Sequence, residues 1–487
     1  MKFCGEDYTV EEKTVAGETL VCRAWRNRVY ADRPVNPEFQ QMNIFAPEAY
    51  FQKSDVSIGG YTKETAPVFV PNTVGGYMPG PLAEPGPDPF GSREGEEVPN
   101  TIFRALQHGY IVAAPAIRGR VQKDESGRYT GKAPACIVDY KAAVRYLHYF
   151  SEELPGDESK IITNGTSAGG AISSLMGATG DHPDYEPYLQ AIGAADASDA
   201  VFAASCYCPI TNLDNADTAY EWEFCGEKEY HRARMDMDAG GRPHFTPVDG
   251  VMTEEQTAVS RKLKAMFPSY VNSLGLKDVD GVLRQPAGMP LTLDADGNGT
   301  FKEFIKKVVM SSAQTALDGG EDLSDKKWLT VSDQKTVTGM DWEGYIHDIT
   351  RMKEAPAFDG LHMETPETNL FGSETIDSRH FSVFSAEHGD DSICAEKSLI
   401  KVMNPMYYIG DAQARTAKYF RIRHGETDRD TSLAISAILT LKLREAGVSV
   451  DYASPWNTPH AGDYDLEELF AWIDQICKQD LSDNGMK

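Results

Sequence analysis

A single serine sits among small residues where a strand-like run becomes a helix-like one, in IITNGTSAGGAISS, residues 161–174. Gly165, Thr166, Ser167, Ala168 and Gly169 fit the pattern G-x-S-x-G. A serine hydroxyl is a weak nucleophile, so it must stand clear of its neighbours and touch a base. A sharp strand-to-helix turn presents it, and glycines admit the close backbone contacts such a turn forces. The helix that follows aims its first amides at the reacting oxygen. Ala168 N–H is therefore expected to be one oxyanion donor, and the chemistry expected is acyl transfer through an acyl-enzyme.

An elbow serine needs an acid and then a base, in the chain order Ser, Asp or Glu, His. The strand-like KYFRIRHG, 418–425, runs into ETDRD, which places Asp428 and Asp430 at a strand tip. The strand-like VSVDYAS leads into PWNTPHAGDYD, which places His460 in a loop before the last helix. His424 precedes the acids and has the wrong order. Spacing leaves the choice between Asp428 and Asp430 open. Asp463 and Asp465 are expected to cap the helix that begins near Leu466. The second oxyanion donor is expected from the glycine loop NTVGGYMPG, 72–80, at Gly75 or Gly76, with Gly76 taken as the partner of Ala168.

These residues need a scaffold of strand tips facing helix starts. Short apolar runs such as GYIVAAPAI, 109–117, read as buried strands, and IVDYKAAVRYLHYF, 137–150, reads as a helix. Their alternation argues for an α/β fold, a mostly parallel sheet covered on both faces. TSLAISAILTLKLREAG, 431–447, and DLEELFAWIDQICKQ resume that pattern near the end. Between them the chain is Met-rich, aromatic and mainly helical in pattern. The division expected is 1–208 for the first part of the core, 209–405 for an inserted lid, and 406–487 for the rest of the core.

The chain has 487 residues and a net charge of −27, which disfavours nucleic acid and anionic membranes as partners. No apolar leader opens it and no run of 18 apolar residues occurs, so a cytoplasmic location is expected. Eight cysteines are scattered without a CxxC pair and read as free thiols. Cys206 and Cys208, in SCYC, alternate as on one face of a strand and read as packing residues. Oligomeric state is not legible.

With those residues in place, the chain resembles the bacterial tannases (tannin acyl hydrolases). The resemblance runs over most of the chain and rests on GTSAGG at 165–170, RHGETDRD at 423–430 and PHAGDYD at 459–465, with RMKEAPAFDG and ETPETNLFG in the insert. It implies an α/β-hydrolase core with a large inserted lid, hydrolysing galloyl esters, with a small phenolic ester as partner. It implies Ser167, Asp428 and His460 as the triad, and Asp430, Lys353 and Glu367 as contacts to the ring hydroxyls. Two carboxylates that accept and one ammonium that donates suit a ring with adjacent hydroxyls. From sequence alone, Lys353 reads as a cation at a helix C-terminus and Glu367 as an acid in a first helical turn. Glu364 competes with Glu367. Fungal members carry linked cysteines beside the serine and the histidine; here Thr166 and Ala168 flank Ser167, and Pro459 and Ala461 flank His460. The departure resembles the bacterial type.

No cofactor is required by such a mechanism. DADGNGTFKEF, 294–304, opens like a calcium loop, with Asp294, Asp296 and Asn298 at ligand positions and Gly299 at the turn. Ile305 stands where the closing glutamate belongs, and a turn capping the next helix is the alternative. A structural calcium ion is the expectation to examine. Two other functions fit the same core: a feruloyl or general carboxylesterase, and a prolyl-peptidase-like hydrolase. A non-catalytic binding protein places no chemical demand on the triad positions.

Overall fold

Short runs of buried apolar residues build the centre of the protein. The computed structural model describes residues 1–487 except 54, 90–96, 238–242, 284–285, 391–392 and 486–487. The strands in chain order are β1 Thr9–Val15, β2 Glu18–Val29, β3 Gln41–Pro47, β4 Pro67–Pro71, β5 Ile111–Pro115, β6 Asp157–Thr166 and β7 Ala203–Tyr207. Then come β8 Glu229–Met237, β9 Pro243–Val251, β10 Lys277–Asp278, β11 Met289–Pro290, β12 Leu329–Val331, β13 Val337–Met340, β14 Tyr419–Arg423 and β15 Ser449–Ala453. One nine-stranded sheet has the order β1-β2-β3-β5-β4-β6-β7-β14-β15. From β5 to β15 its neighbours pair in parallel, while β1, β2, β3 and β5 pair antiparallel. Strands β4, β5, β7 and β14 are buried along their whole length, as a sheet covered on both faces requires.

The helices are α1 Thr101–Gln107, α2 Ala135–Tyr149, α3 Ala168–Ala178, α4 Glu186–Ile192, α5 Leu213–Phe224, α6 Glu254–Ser273 and α7 Thr300–Asp318. They continue with α8 Trp342–Ile349, α9 Pro366–Leu370, α10 Val383–His388, α11 Lys397–Val402, α12 Leu433–Glu445 and α13 Leu466–Gly485. Ile161 of β6 joins the core formed with α2, α3 and α12, while its neighbour Ile162 joins the core formed with α1 and α13. That alternation is the period-two rule of a strand between two helical layers. No described helix is long and apolar enough to cross a membrane.

Residues 209–405 contribute no strand to the large sheet among the described residues. They hold α5 to α11, together with three small two-stranded sheets, one of them the hairpin β8–β9. The insert is thus less purely helical than its sequence pattern suggests, because EYHRARMDM and its partner strand carry few apolar residues to reveal a period. Helix α6 continues through Pro268, and Leu263, Phe267 and Val271 form its buried stripe.

The loop at 294–299 closes on itself. Asp294 Oδ1 accepts from the amides of Asp296 and Asn298 at 3.0 and 2.9 Å. Lys302 Nζ donates to Asn298 Oδ1 at 3.1 Å, so an ammonium stands where a cation would need that oxygen. Ile305 is buried in the core and Glu303 pairs with Lys306. The closing bidentate carboxylate of a calcium loop is thus missing; Asp294, Asp296 and Asn298 form an Asx-type turn leading into α7, the alternative reading of this loop.

Candidate active site

Ser167 lies at the turn from β6 to α3 with φ 61° and ψ −122°. A non-glycine residue is held in that region only by its surroundings, at a cost of about 1–3 kcal/mol. The neighbours explain how. A Cβ on Gly165 would lie 2.4 Å from Gly169 O, and one on Gly170 would lie 2.5 Å from Tyr207 O. Ser167 N–H donates to Tyr207 O at 3.0 Å, which fixes the turn to β7. The Ala168 amide has no acceptor among the described residues, and neither has that of Gly76. Asn72 brings their two segments together. Its Nδ2 donates to Gly169 O at 3.1 Å and its Oδ1 accepts from Val74 N at 3.2 Å.

Asp428 follows the tip of β14 and is buried. Its Oδ2 lies 2.8 Å from His460 Nδ1, and its Oδ1 accepts from Asp430 N at 2.9 Å. Burial opposes its charge, but His460, His424 and these hydrogen bonds lower its pKa to about 2. For His460, burial works against protonation, yet Asp428, Cys208 and Asp430 hold its pKa well above the usual histidine value. With Nδ1 committed to Asp428, Nε2 is the basic nitrogen. Cys208 Sγ stands 3.8 Å and Asp430 Oδ1 3.9 Å from Nε2. Ser167 Oγ makes no hydrogen bond among the described residues; such bonds commonly tighten only when substrate is bound.

His424, the competitor, is fully buried with Nδ1 3.0 Å from Ser436 Oγ and Nε2 3.8 Å from Asp428 Oδ2. It stands behind Asp428. Asp463 and Asp465 do not turn their carboxylates onto the helix after His460, contrary to the capping expectation. Asp463 accepts from Asn164 Nδ2 at 2.9 Å and Thr101 Oγ1 at 2.6 Å, and Asp465 accepts from Tyr207 OH at 2.5 Å. Both brace the histidine loop against the sheet, where buried donors would otherwise lack partners.

Lys353 and Asp430 meet, with Nζ 3.0 Å from Oδ1. The ammonium also lies 4.2 Å from the centre of the Phe358 ring. Burial disfavours its charge, but Asp430 and Glu367 raise its pKa. Glu367, in the first turn of α9, is buried, and burial raises its pKa against the pull of Lys353. Glu364 is exposed. The insert and the core thus bring Lys353, Glu367 and Asp430 into one electrostatic neighbourhood beside His460.

Cys208, read from sequence as packing, leaves the strand at φ 33° and turns its thiol to Nε2 and to Ala461 O, at 3.4 Å. Burial raises its pKa, against the pull of the neighbouring His460. Its place at the carboxyl end of a parallel strand beside the elbow was the available signal. Cys208, Asp428 and His460 are the described residues whose side chains lie close enough together to hold a metal, within 4.8 Å. They include the Asp428–His460 pair.

Comparison with solved structures returns a tannase from Lactobacillus plantarum at 44% identity and TM-score 0.90, covering 98% of this chain and 99% of that one. It also returns Fusobacterium nucleatum tannase at 46% identity and TM-score 0.90, with coverage of 98% and 99%. The chain belongs to the tannase family. A further relative is a tannin acyl hydrolase in complex with ethyl gallate, at 44% identity, TM-score 0.87 and 98% coverage of both chains. A family profile described as BD-FAE matches residues 91–232. No curated protein sequence matches. As in other members of the tannase family, the core is an α/β-hydrolase sheet carrying an inserted segment.

Proposed function

We propose that this tannase-family protein is a serine esterase that hydrolyses galloyl esters, with Ser167, His460 and Asp428 as triad. One observation carries the reading. Asp428 orients His460 at 2.8 Å, and two residues on Asp430 pairs with Lys353 of the insert at 3.0 Å. One short loop thereby carries both the partner of the base and one wall of a charged ring pocket.

In this reading Nε2 of His460 takes the proton of Ser167 as Oγ attacks the ester carbonyl. Ala168 N–H and Gly76 N–H hold the oxyanion. The imidazolium returns the proton to the departing alcohol, and water then releases gallate by the same steps. Lys353, Glu367 and Asp430 read the ring hydroxyls, residues 209–405 serve as the lid, and no step uses a metal. A ring lacking a hydroxyl leaves a buried charge unpaired, so discrimination is strong. Ser167→Ala with retained fold is expected to remove nearly all methyl gallate turnover; turnover at the wild-type rate overturns the mechanism.

A further inference from the structure

Arg120, which lies beyond β5 in the core, is not part of the triad, and its charge acts on Glu367 of the ring pocket. Its backbone N–H donates to Tyr77 O at 2.9 Å, and its Nε donates to Gly76 O at 2.9 Å. One residue therefore holds two consecutive carbonyls of the glycine loop. Peptide planarity passes that hold to the N–H groups of Tyr77 and Met78, which share those two planes, and Met78 N–H in turn holds the plane that carries the Gly76 N–H. The preceding plane is set by the turn in which Met78 N donates to Gly75 O at 2.9 Å. The neighbouring Gly119 lies close against the loop as well, for a Cβ on it would come within 2.1 Å of Pro79 N.

The same guanidinium reaches the insert. Its Nη1 donates to Asn369 Oδ1 at 3.0 Å, and Asn369 stands two residues after Glu367 on α9. Asn369 is fixed in turn, with Nδ2 donating to Asp377 Oδ1 at 2.8 Å and its carbonyl accepting from Lys132 Nζ at 2.7 Å. Arg120 thus bridges, within one rigid fork, the loop of Gly76 and the helix of Glu367. Lysine lacks that fork and cannot serve both acceptors in the same geometry.

We propose that Arg120 is a positioning residue that orients the oxyanion loop and keeps it in register with the helix that reads the galloyl ring. The inference rests on the reading of Gly76 and Glu367 above. Its consequence is that ring binding and carbonyl activation are mechanically linked.

The test measures kcat and KM for Arg120→Met, Arg120→Lys and Asn369→Ala on methyl gallate and on p-nitrophenyl acetate, which has no ring hydroxyls. Arg120→Met is expected to lower kcat on both esters by roughly 10–100-fold, short of losing an oxyanion donor outright. Asn369→Ala breaks only the insert side and should raise KM for methyl gallate about tenfold. The double variant should lose less than the product of the two, because the residues act through one contact. Wild-type kcat on both esters in a folded Arg120→Met overturns the proposal. Should that variant not fold, Arg120→Lys decides, and wild-type kcat and KM on both esters overturn it equally. Wild-type enzyme that turns over the acetate but not methyl gallate would instead remove the galloyl reading, and the acetate kcat of the variants would still judge Arg120.

Discussion

Lys353 Nζ lies 3.0 Å from Asp430 Oδ1, although 77 residues separate them. The pair joins the inserted segment to the loop that carries Asp428, the proposed acid of the triad. Glu367 completes a set in which a single ammonium faces two carboxylates, one of them buried. A ligand with adjacent hydroxyls can bridge such a set by donating to the carboxylates and accepting from the ammonium.

Lys353→Met removes from Asp430 its ion-pair partner and from Glu367 the cation that acts on it most strongly. A hydrogen bond to a charged group is worth about 1.5–3 kcal/mol, so kcat/KM for methyl gallate should fall by roughly 10–100-fold. The loss should fall mainly on KM, as for a contact made equally in ground and transition states. Steady-state kinetics checks this, and an unchanged KM speaks against a ring contact.

Gly462 follows the His460 loop so closely that an added Cβ would sit 1.8 Å from Thr166 Oγ1 and 2.8 Å from Thr166 Cβ. Gly462→Ala must push the loop away from the elbow. A displacement of about 1 Å can cost about 10²-fold in rate. The expected result is a kcat reduced to that extent with the fold retained, partly restored by adding Thr166→Ala.

The pH profile follows from the surroundings of His460. Nε2 accepts a proton only when the ring is neutral, and Asp428, Cys208 and Asp430 raise its pKa well above 6.5 against the effect of burial. Activity should therefore rise through a pH above 6.5 and be lost as pH falls through it. Asp428→Asn removes the nearest negative charge, so the acid limb should move to lower pH while the rate drops steeply. A limb that stays in place would show that His460 is not the titrating group.

Glu223 offers a stability test away from the chemistry. Its Oε2 accepts from Ser432 Oγ at 2.5 Å and Leu433 N at 3.0 Å, while Oε1 is buried without a partner. Burial raises its pKa to about 8, and Asp428 adds to the effect. The folded state then holds a proton that the unfolded chain releases near 4.5. Stability from this group falls as pH rises from about 4.5 to about 8. Glu223→Gln cannot charge, so its Tm should exceed that of the wild type by several degrees at pH 9 and match it near pH 4.

The parts of the site legible in the sequence are those with a local cause. Ser167 announces itself because a strained turn demands glycines within a few residues on either side. Asp428 and His460 follow from element order, since parallel strands deliver their tips to one edge of the sheet. Lys353 and Glu367 have no local signature: each reads equally as a helix-terminal charge, and only the family resemblance singles them out. Asn72 and Arg120 were not legible, because each joins segments that are far apart in the chain, Asn72 to Gly169 and Arg120 to Gly76 and Asn369. The loop at 294–299 reads two ways for the opposite reason. The pattern Asp-x-Asp-x-Asn-Gly is local, and a turn that closes on its own amides uses the same residues as one that closes on a metal.

The most direct measurement is kcat/KM of the purified protein on methyl gallate and methyl ferulate, side by side. The account predicts rapid turnover of the gallate and negligible turnover of the ferulate, whose methoxyl group cannot donate to the carboxylates. Comparable rates, or ferulate ahead, would contradict the hydroxyl-reading pocket of Lys353, Glu367 and Asp430.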